Sequence, residues 1–250
     1  MLRMKWLNWE FKLGITLILL SIIIFAIKFL VLGNLEDTYL SVFNSLGFLP
    51  ISVLLVTLIL NQLLILQSRK EKMEKLNMVI GTFFSEVGTK LLLNFSDFDP
   101  DLEKIRKNLI VNNDWSDEDF YRVRMALKQY TYTVDIKNVD FIQLKEFLKQ
   151  KRSFFVRLLE NPVLLEHTEF TEILRALFHL TEELDSRDHV TDLPETDSAH
   201  LVVDIQRVYT QLASQWLDYM KYLKNNYPYL FSLAMRKNPF DETASPIVRY

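Results

Sequence analysis

Cysteine is absent from the 250 residues. That removes disulfides, thiolate metal sites and cysteine nucleophiles at once, and it fits a reducing compartment. Glycine is scarce and confined to one end: Gly14, Gly33, Gly47, Gly81 and Gly88 are all five. Nothing after position 88 can build a glycine-rich phosphate loop, a dinucleotide fingerprint or a nucleophile elbow. Proline is also sparse, at seven. A long chain with so few turn-formers and breaks reads as helical throughout. Positive charge is lacking as well. Of 29 basic and 32 acidic residues, four and three fall in positions 1–67, which leaves 25 and 29, a net charge of −4, for the remainder. A general nucleic-acid surface needs clustered positive charge, so nucleic acid is excluded as a partner. No cofactor motif and no catalytic arrangement of serine, threonine or histidine is recognisable, and an enzyme is not expected.

What the chain does have is apolar length. Leu13 to Leu32 is interrupted only by Lys28, and Leu46 to Leu66 is its counterpart. About twenty helical residues cross the ~30 Å hydrocarbon core of a bilayer, so the two runs predict a transmembrane hairpin. Lys28 is placed to reach the headgroups along its own stem, and Pro50 falls in the first turn of the second run, where proline is tolerated. Arg3, Lys5 and Lys12 precede the hairpin and Arg69, Lys70, Lys72 and Lys75 come after it, whereas the loop 33–45 carries only Glu36 and Asp37. Positive residues favour the inner side, so an integral protein of the plasma membrane with both termini cytoplasmic is expected. Phe25-Ala26-Ile27-Lys28 offers no small-residue cleavage site, which argues for an anchor that is retained.

The expected fold class is therefore all-α: a membrane hairpin over 1–67, a helix over 68–96 continuing from the second span, a cytoplasmic bundle over 97–240, and a loosely held tail over 241–250. Asp99-Pro100 predicts a helix start running to about Val111. Ser116 with three acidic residues after it caps the next helix, whose stripe Phe120, Val123, Leu127, Tyr130 and Val134 carries it through Tyr130–Ile136, although that stretch also alternates like a strand. Asn138 or Asp140 caps a helix with the stripe Leu144, Leu148 and Phe155. A further helix runs from Pro162 or Thr168 to Ser186, and the longest soluble one from Ala199 to about Asn225. Tyr229, Leu230, Phe231 and Leu233 are too apolar for a free tail and are expected to close the bundle.

Three sets of residues invite functional readings. Asn61 and Gln62 offer amides for helix association in lipid, and Gly81, Ser85 and Gly88 share a smooth face that admits a second backbone, in the chain or in a homo-oligomer. Lys145, Lys149, Lys151 and Arg152 form the most basic stretch, either a solvated face with internal ion pairs or a surface for anionic lipid or an acidic partner. His179 with Glu183, and His200 with Asp204, are i, i+4 pairs on consecutive helices; brought together they would suit zinc, iron or manganese, although neither is a standard ligand motif.

The stretch Tyr227-Pro228-Tyr229-Leu230-Phe231-Ser232-Leu233-Ala234, with Arg236 and Asn238-Pro239-Phe240, resembles the C-terminal ends of uncharacterised prokaryotic membrane proteins with two N-terminal spans. The resemblance implies no activity. The reading at this point is a membrane-anchored helical interaction or scaffold protein that self-associates or recruits an unidentified protein, with an oligomeric two-span channel and a metal-binding protein as alternatives.

Overall fold

Glu36 and Asp37 sit in the first turn of α1 (Leu35–Phe83), where negative charge complements the amide end of the helix. The computed structural model describes residues 15–16, 18–19, 21–24, 26–30, 35–165 and 167–248. They divide into two units, with the boundary between Arg69 and Lys70, inside α1.

In the first unit, α1 begins well before the expected second span. Residues 35–45, expected as an outside loop, are helical, and Pro50 therefore lies in the helix interior rather than its first turn. It removes one backbone donor there and pushes against the carbonyl of Leu46, a local perturbation that a 49-residue helix absorbs. Lys28 donates to the hydroxyl of Ser41 and, at 3.4 Å, to the carbonyl of Asp37. Its ammonium is thus held by the chain itself rather than reaching outward. Among the described residues one helix is long and apolar enough to cross a membrane; Ser21–Leu30 is apolar but shorter. Two described crossings are therefore not present, and the ends of the first expected span lie outside the described residues.

The second unit holds the core. α1 passes through a π-helical turn, Phe84–Gly88, into α2 (Thr89–Phe98), and Ile80, Phe83, Val87, Leu91, Leu92 and Phe95 are buried along it. A short α3 (Glu103–Arg106) and a 3-10 turn to Leu109 replace the longer helix expected up to Val111. α4 (Asp117–Gln129) opens with a capping box: Ser116 Oγ accepts from the Asp119 amide at 3.3 Å and Asp119 Oδ2 accepts from the Ser116 amide at 2.7 Å. These bonds, from Ser116 backbone and then side chain, hold the Asp119 carboxyl below its ordinary range. A folded value depressed in this way makes its contribution at pH above the unfolded carboxylate value and loses it as pH falls through the folded one. Ser116→Ala is expected to cost about 1 kcal/mol, read as an earlier urea midpoint at neutral pH.

α4 stops at Gln129. The helical reading of Tyr130–Ile136 is corrected here: Tyr130 is extended, and side chains reward that conformation better than a further helical turn does. Tyr130 and Thr133 hydroxyls both donate to buried Asp99 at 2.8 Å, the Asp135 amide donates to the Phe98 carbonyl at 2.9 Å, and Tyr132 enters the core. The alternation was real, but among the described residues no strand forms.

α5 (Phe141–Leu159), capped by Asp140, packs on α7 (Thr168–Asp185), which packs on α8 (Glu195–Asn226); α6 (Pro162–Leu165) is the one-turn connector before α7. α8 starts four residues ahead of the expected Ala199, because Pro194 sets the entry conformation and Glu195 and Asp197 supply acid to the first turn. Leu201, Ile205, Val208, Leu212 and Trp216 bury its length. α9 (Pro228–Arg236) closes the unit through Phe231 and the adjoining Asn238-Pro239-Phe240 segment, whereas Tyr229, Leu230 and Leu233, expected inside, stay on the surface.

Candidate functional site

The pairing of α7 with α8 decides where four side chains meet. His179 and Glu183 lie one turn apart on α7, His200 and Asp204 one turn apart on α8, and the antiparallel packing turns the two pairs toward each other. The donor atoms of His179, Glu183 and His200 fall within 4.8 Å of one another. Asp204 Oδ2 is 3.5 Å from Nε2 of His179 and 3.5 Å from Nε2 of His200. Glu183 Oε1 is 3.9 Å from His179 Nε2, and its Oε2 3.8 Å from His200 Nε2.

Burial is asymmetric. The imidazoles are half exposed, at 46% and 52%, while the Asp204 side chain is 2% exposed. Two guanidiniums hold the outer oxygens of the carboxylates. Arg207 donates to Asp204 Oδ1 at 2.9 Å, and Arg187 to Glu183 Oε2 at 3.0 Å while its other nitrogens grip Asp197 at 2.7 and 2.8 Å. Paired on two sides, Arg187 is raised above the ordinary guanidinium value, first by Asp197, and Asp197 is lowered in return by Arg187. Asp204 Oδ2, by contrast, is buried without a hydrogen-bond partner.

The remaining histidines are elsewhere. His167 is the N-cap of α7, its Nδ1 accepting from the Phe170 amide at 3.2 Å, and His189 is exposed in the loop before α8. Glu172, which shares a helix with His179 and Glu183, is bound by Arg175 at 2.7 Å.

The basic stretch of α5 is spoken for inside the chain. Lys149 pairs with Asp185 at 2.6 Å, Arg152 with Glu182 at 2.7 Å and Lys151 with Glu86 at 2.9 Å, and Lys145 donates to the Arg187 carbonyl. The surface for anionic lipid or an acidic partner is corrected accordingly: these cations tie α5 to α7 and to the π turn. Nor do the glycines form an outward-facing seam. Gly88 is buried against Phe83 and Phe84 of its own helix, and a Cβ on Gly81 would stand 3.0 Å from the Tyr219 hydroxyl. The close approach they permit is made within the chain, leaving Ser85 alone of the three exposed.

Two features escaped sequence reading. A groove of about 590 Å³ runs between the end of α1 and α8–α9, bordered by Gly81, Tyr219, Tyr229, Leu230 and Lys237. Asp99, singled out only as a cap, is the centre of a buried tyrosine cluster in which the rings of Tyr130, Tyr132 and Tyr209 stack edge to face at 4.9 and 4.8 Å. Burial raises all three phenols, that of Tyr130 further through its bond to Asp99. The tyrosines at 130 and 132, two apart, were the available signal.

Fold and site together define an all-helical protein in which an exposed apolar helix leads into a bundle carrying a histidine–carboxylate cluster. This arrangement is shared. Residues 72–236 match the family model described as "Uncharacterized protein MJ1433, C-terminal helical domain", and residues 4–64 match "MJ1433, N-terminal helical domain". The chain belongs to the MJ1433 family. A relative from Methanocaldococcus jannaschii bearing the name "Uncharacterized protein MJ1433" is 45% identical over 229 residues, covering 92% of this chain and 92% of the relative. No solved structure matches.

Proposed function

We propose that this protein is a membrane-anchored helical module of the plasma membrane, whose bundle sits in the cytoplasm and which assembles with copies of itself through the anchor. One observation carries the reading. The apolar window of the helix over Tyr39–Phe98 has 0% of its residues buried, whereas the apolar residues of the bundle are packed away. An exposed run of Leu, Ile and Val of that length is a liability in water and at rest in hydrocarbon.

Leu13–Leu32 supplies the second crossing of the hairpin, and Lys28 bonding to Ser41 and Asp37 supports the two apolar helices lying side by side. Asn61 and Gln62 favour assembly: both are exposed on an apolar helix, and among the described residues neither amide has a hydrogen-bond partner. Within lipid such amides gain by bonding across a helix interface.

Two measurements test this. Single cysteines at Asn34 and Ser245 should react with an impermeant reagent added outside intact cells at the former only; labelling of Ser245 would reverse the topology. Native mass spectrometry in detergent should find an oligomer that Asn61→Leu with Gln62→Leu weakens. A monomeric wild type would remove the assembly claim and leave the anchor intact.

A further inference from the structure

The four donors between α7 and α8 do not behave as a hydrogen-bonded cluster. A buried carboxylate oxygen normally has a partner, since desolvating it without one costs on the order of 1–3 kcal/mol. Asp204 Oδ2 has none, although two imidazole nitrogens face it at 3.5 Å. That separation is too long for a good hydrogen bond. It is the right length for something else. Metal bonds of about 2.0–2.2 Å in a tetrahedral shell place neighbouring donors roughly 3.3–3.6 Å apart. The Glu183 oxygens, at 3.9 and 3.8 Å from the two nitrogens, need to close by only a few tenths of an ångström.

We infer that His179, His200, Asp204 and Glu183 form a binding site for a single first-row divalent transition-metal ion, zinc being the reference case. Two imidazoles with two carboxylates favour Zn²⁺, Fe²⁺, Mn²⁺ or Co²⁺ over Ca²⁺ and Mg²⁺, which prefer all-oxygen shells, and the lack of sulfur disfavours Cu⁺. The outer residues fit the same reading. Arg207 fixes Oδ1 of Asp204 and so presents Oδ2 as the inner, single-atom ligand; Arg187 does the same for Glu183, fixing Oε2 and presenting Oε1. Bound there, the ion ties α7 to α8 at the end where their connecting loop is already latched by Arg187 to Asp197. The half-exposed imidazoles leave the ion open to solvent on one side, so it exchanges with the surrounding pool.

The test uses the full chain in detergent, stripped with chelator and then dialysed against Zn²⁺ alone. Wild type is expected to hold one zinc per chain by elemental analysis and to bind Co²⁺ with the visible bands of a low-symmetry four-coordinate site. Asp204→Asn, an isostere that removes the anionic ligand, should raise the zinc concentration at half-saturation at least about tenfold, the loss usual even for an outer-shell partner. His179→Ala with His200→Ala should abolish saturable binding, and His167→Ala or His189→Ala should change nothing. If Asp204→Asn fails to fold, Glu183→Gln on the exposed side carries the same expectation. Wild type that retains no zinc, or that binds it as tightly after both histidines are removed, overturns the site and leaves the anchor untouched.

Discussion

Alanine at Gly88 is expected to destabilise the helical domain by about 1–3 kcal/mol, the cost of overpacking a full core. The sign is not what helix propensity predicts, because alanine is better than glycine in a helix by about 1 kcal/mol. Packing reverses it. A Cβ at 88 would stand 2.6 Å from Phe84 Cδ1 and 2.8 Å from Phe83 Cε1. Neither ring can retreat: Phe83 meets Phe170 edge-on at 5.1 Å and Phe84 is stacked on Tyr219 at 5.0 Å. Gly47 is the control, since nothing lies within 4 Å of a Cβ built there, and alanine is expected to be neutral or better. Thermal unfolding of the full chain in detergent checks both. For a domain of this size the Gly88 variant should melt roughly 2–12 °C lower. An unchanged midpoint would mean that the two rings repack freely.

The larger effect belongs to Phe240. It is buried and packs edge to face on Trp216 at 5.0 Å, and the residue before its proline fixes it in place. Asn238 Nδ2 donates to the Leu109 carbonyl at 2.8 Å, and its Oδ1 accepts from the Phe240 amide at 3.0 Å. The segment is a clasp: one side chain satisfies a distant loop and positions an aromatic plug two residues later. Phe240→Ala should cost about 3–5 kcal/mol and lower the melting temperature by roughly 6–20 °C. A truncation after Lys237 should do at least as much. Ending the chain at Asp241 should matter little, because the residues beyond it contribute exposed contacts, chiefly Glu242 to Arg106 at 2.8 Å. Equal melting of the two truncations would remove the clasp.

These cases show which features were legible in the sequence. Local chemistry was: the Ser116 box, the Asp140 cap, the apolar stripe of α8 and the spacing that put His179 near Glu183 and His200 near Asp204 all depend on residues within a turn of one another. What the sequence hid depends on partners far along the chain. Lys151 meets Glu86 and Lys149 meets Asp185, 65 and 36 positions away, so a stretch that reads as a free basic face is neutralised on folding. Tyr130–Asp135 turned extended because Asp99 and Phe98, some thirty residues earlier, offered better hydrogen bonds than the next helical turn. The orphaned oxygen of Asp204 was hidden for the same reason. Its spacing predicted a neighbour, not that every other donor would look elsewhere.

The π turn at Phe84–Gly88 has a consequence for angular phase. Leu76, Ile80, Phe84, Gly88 and Leu92 are buried at steps of four, and each such step overshoots a full α-helical turn by about 40°, so a straight helix would swing the line about 160° off the core over that distance. One wider turn, with its bonds reaching a residue further, winds part of that rotation back. The same turn keeps Leu91, Leu92 and Phe95 facing inward after the helix has left its apolar stretch. A chain one residue shorter at Ser85 would keep its helix and rotate everything after it by about 100°, presenting the core stripe to water.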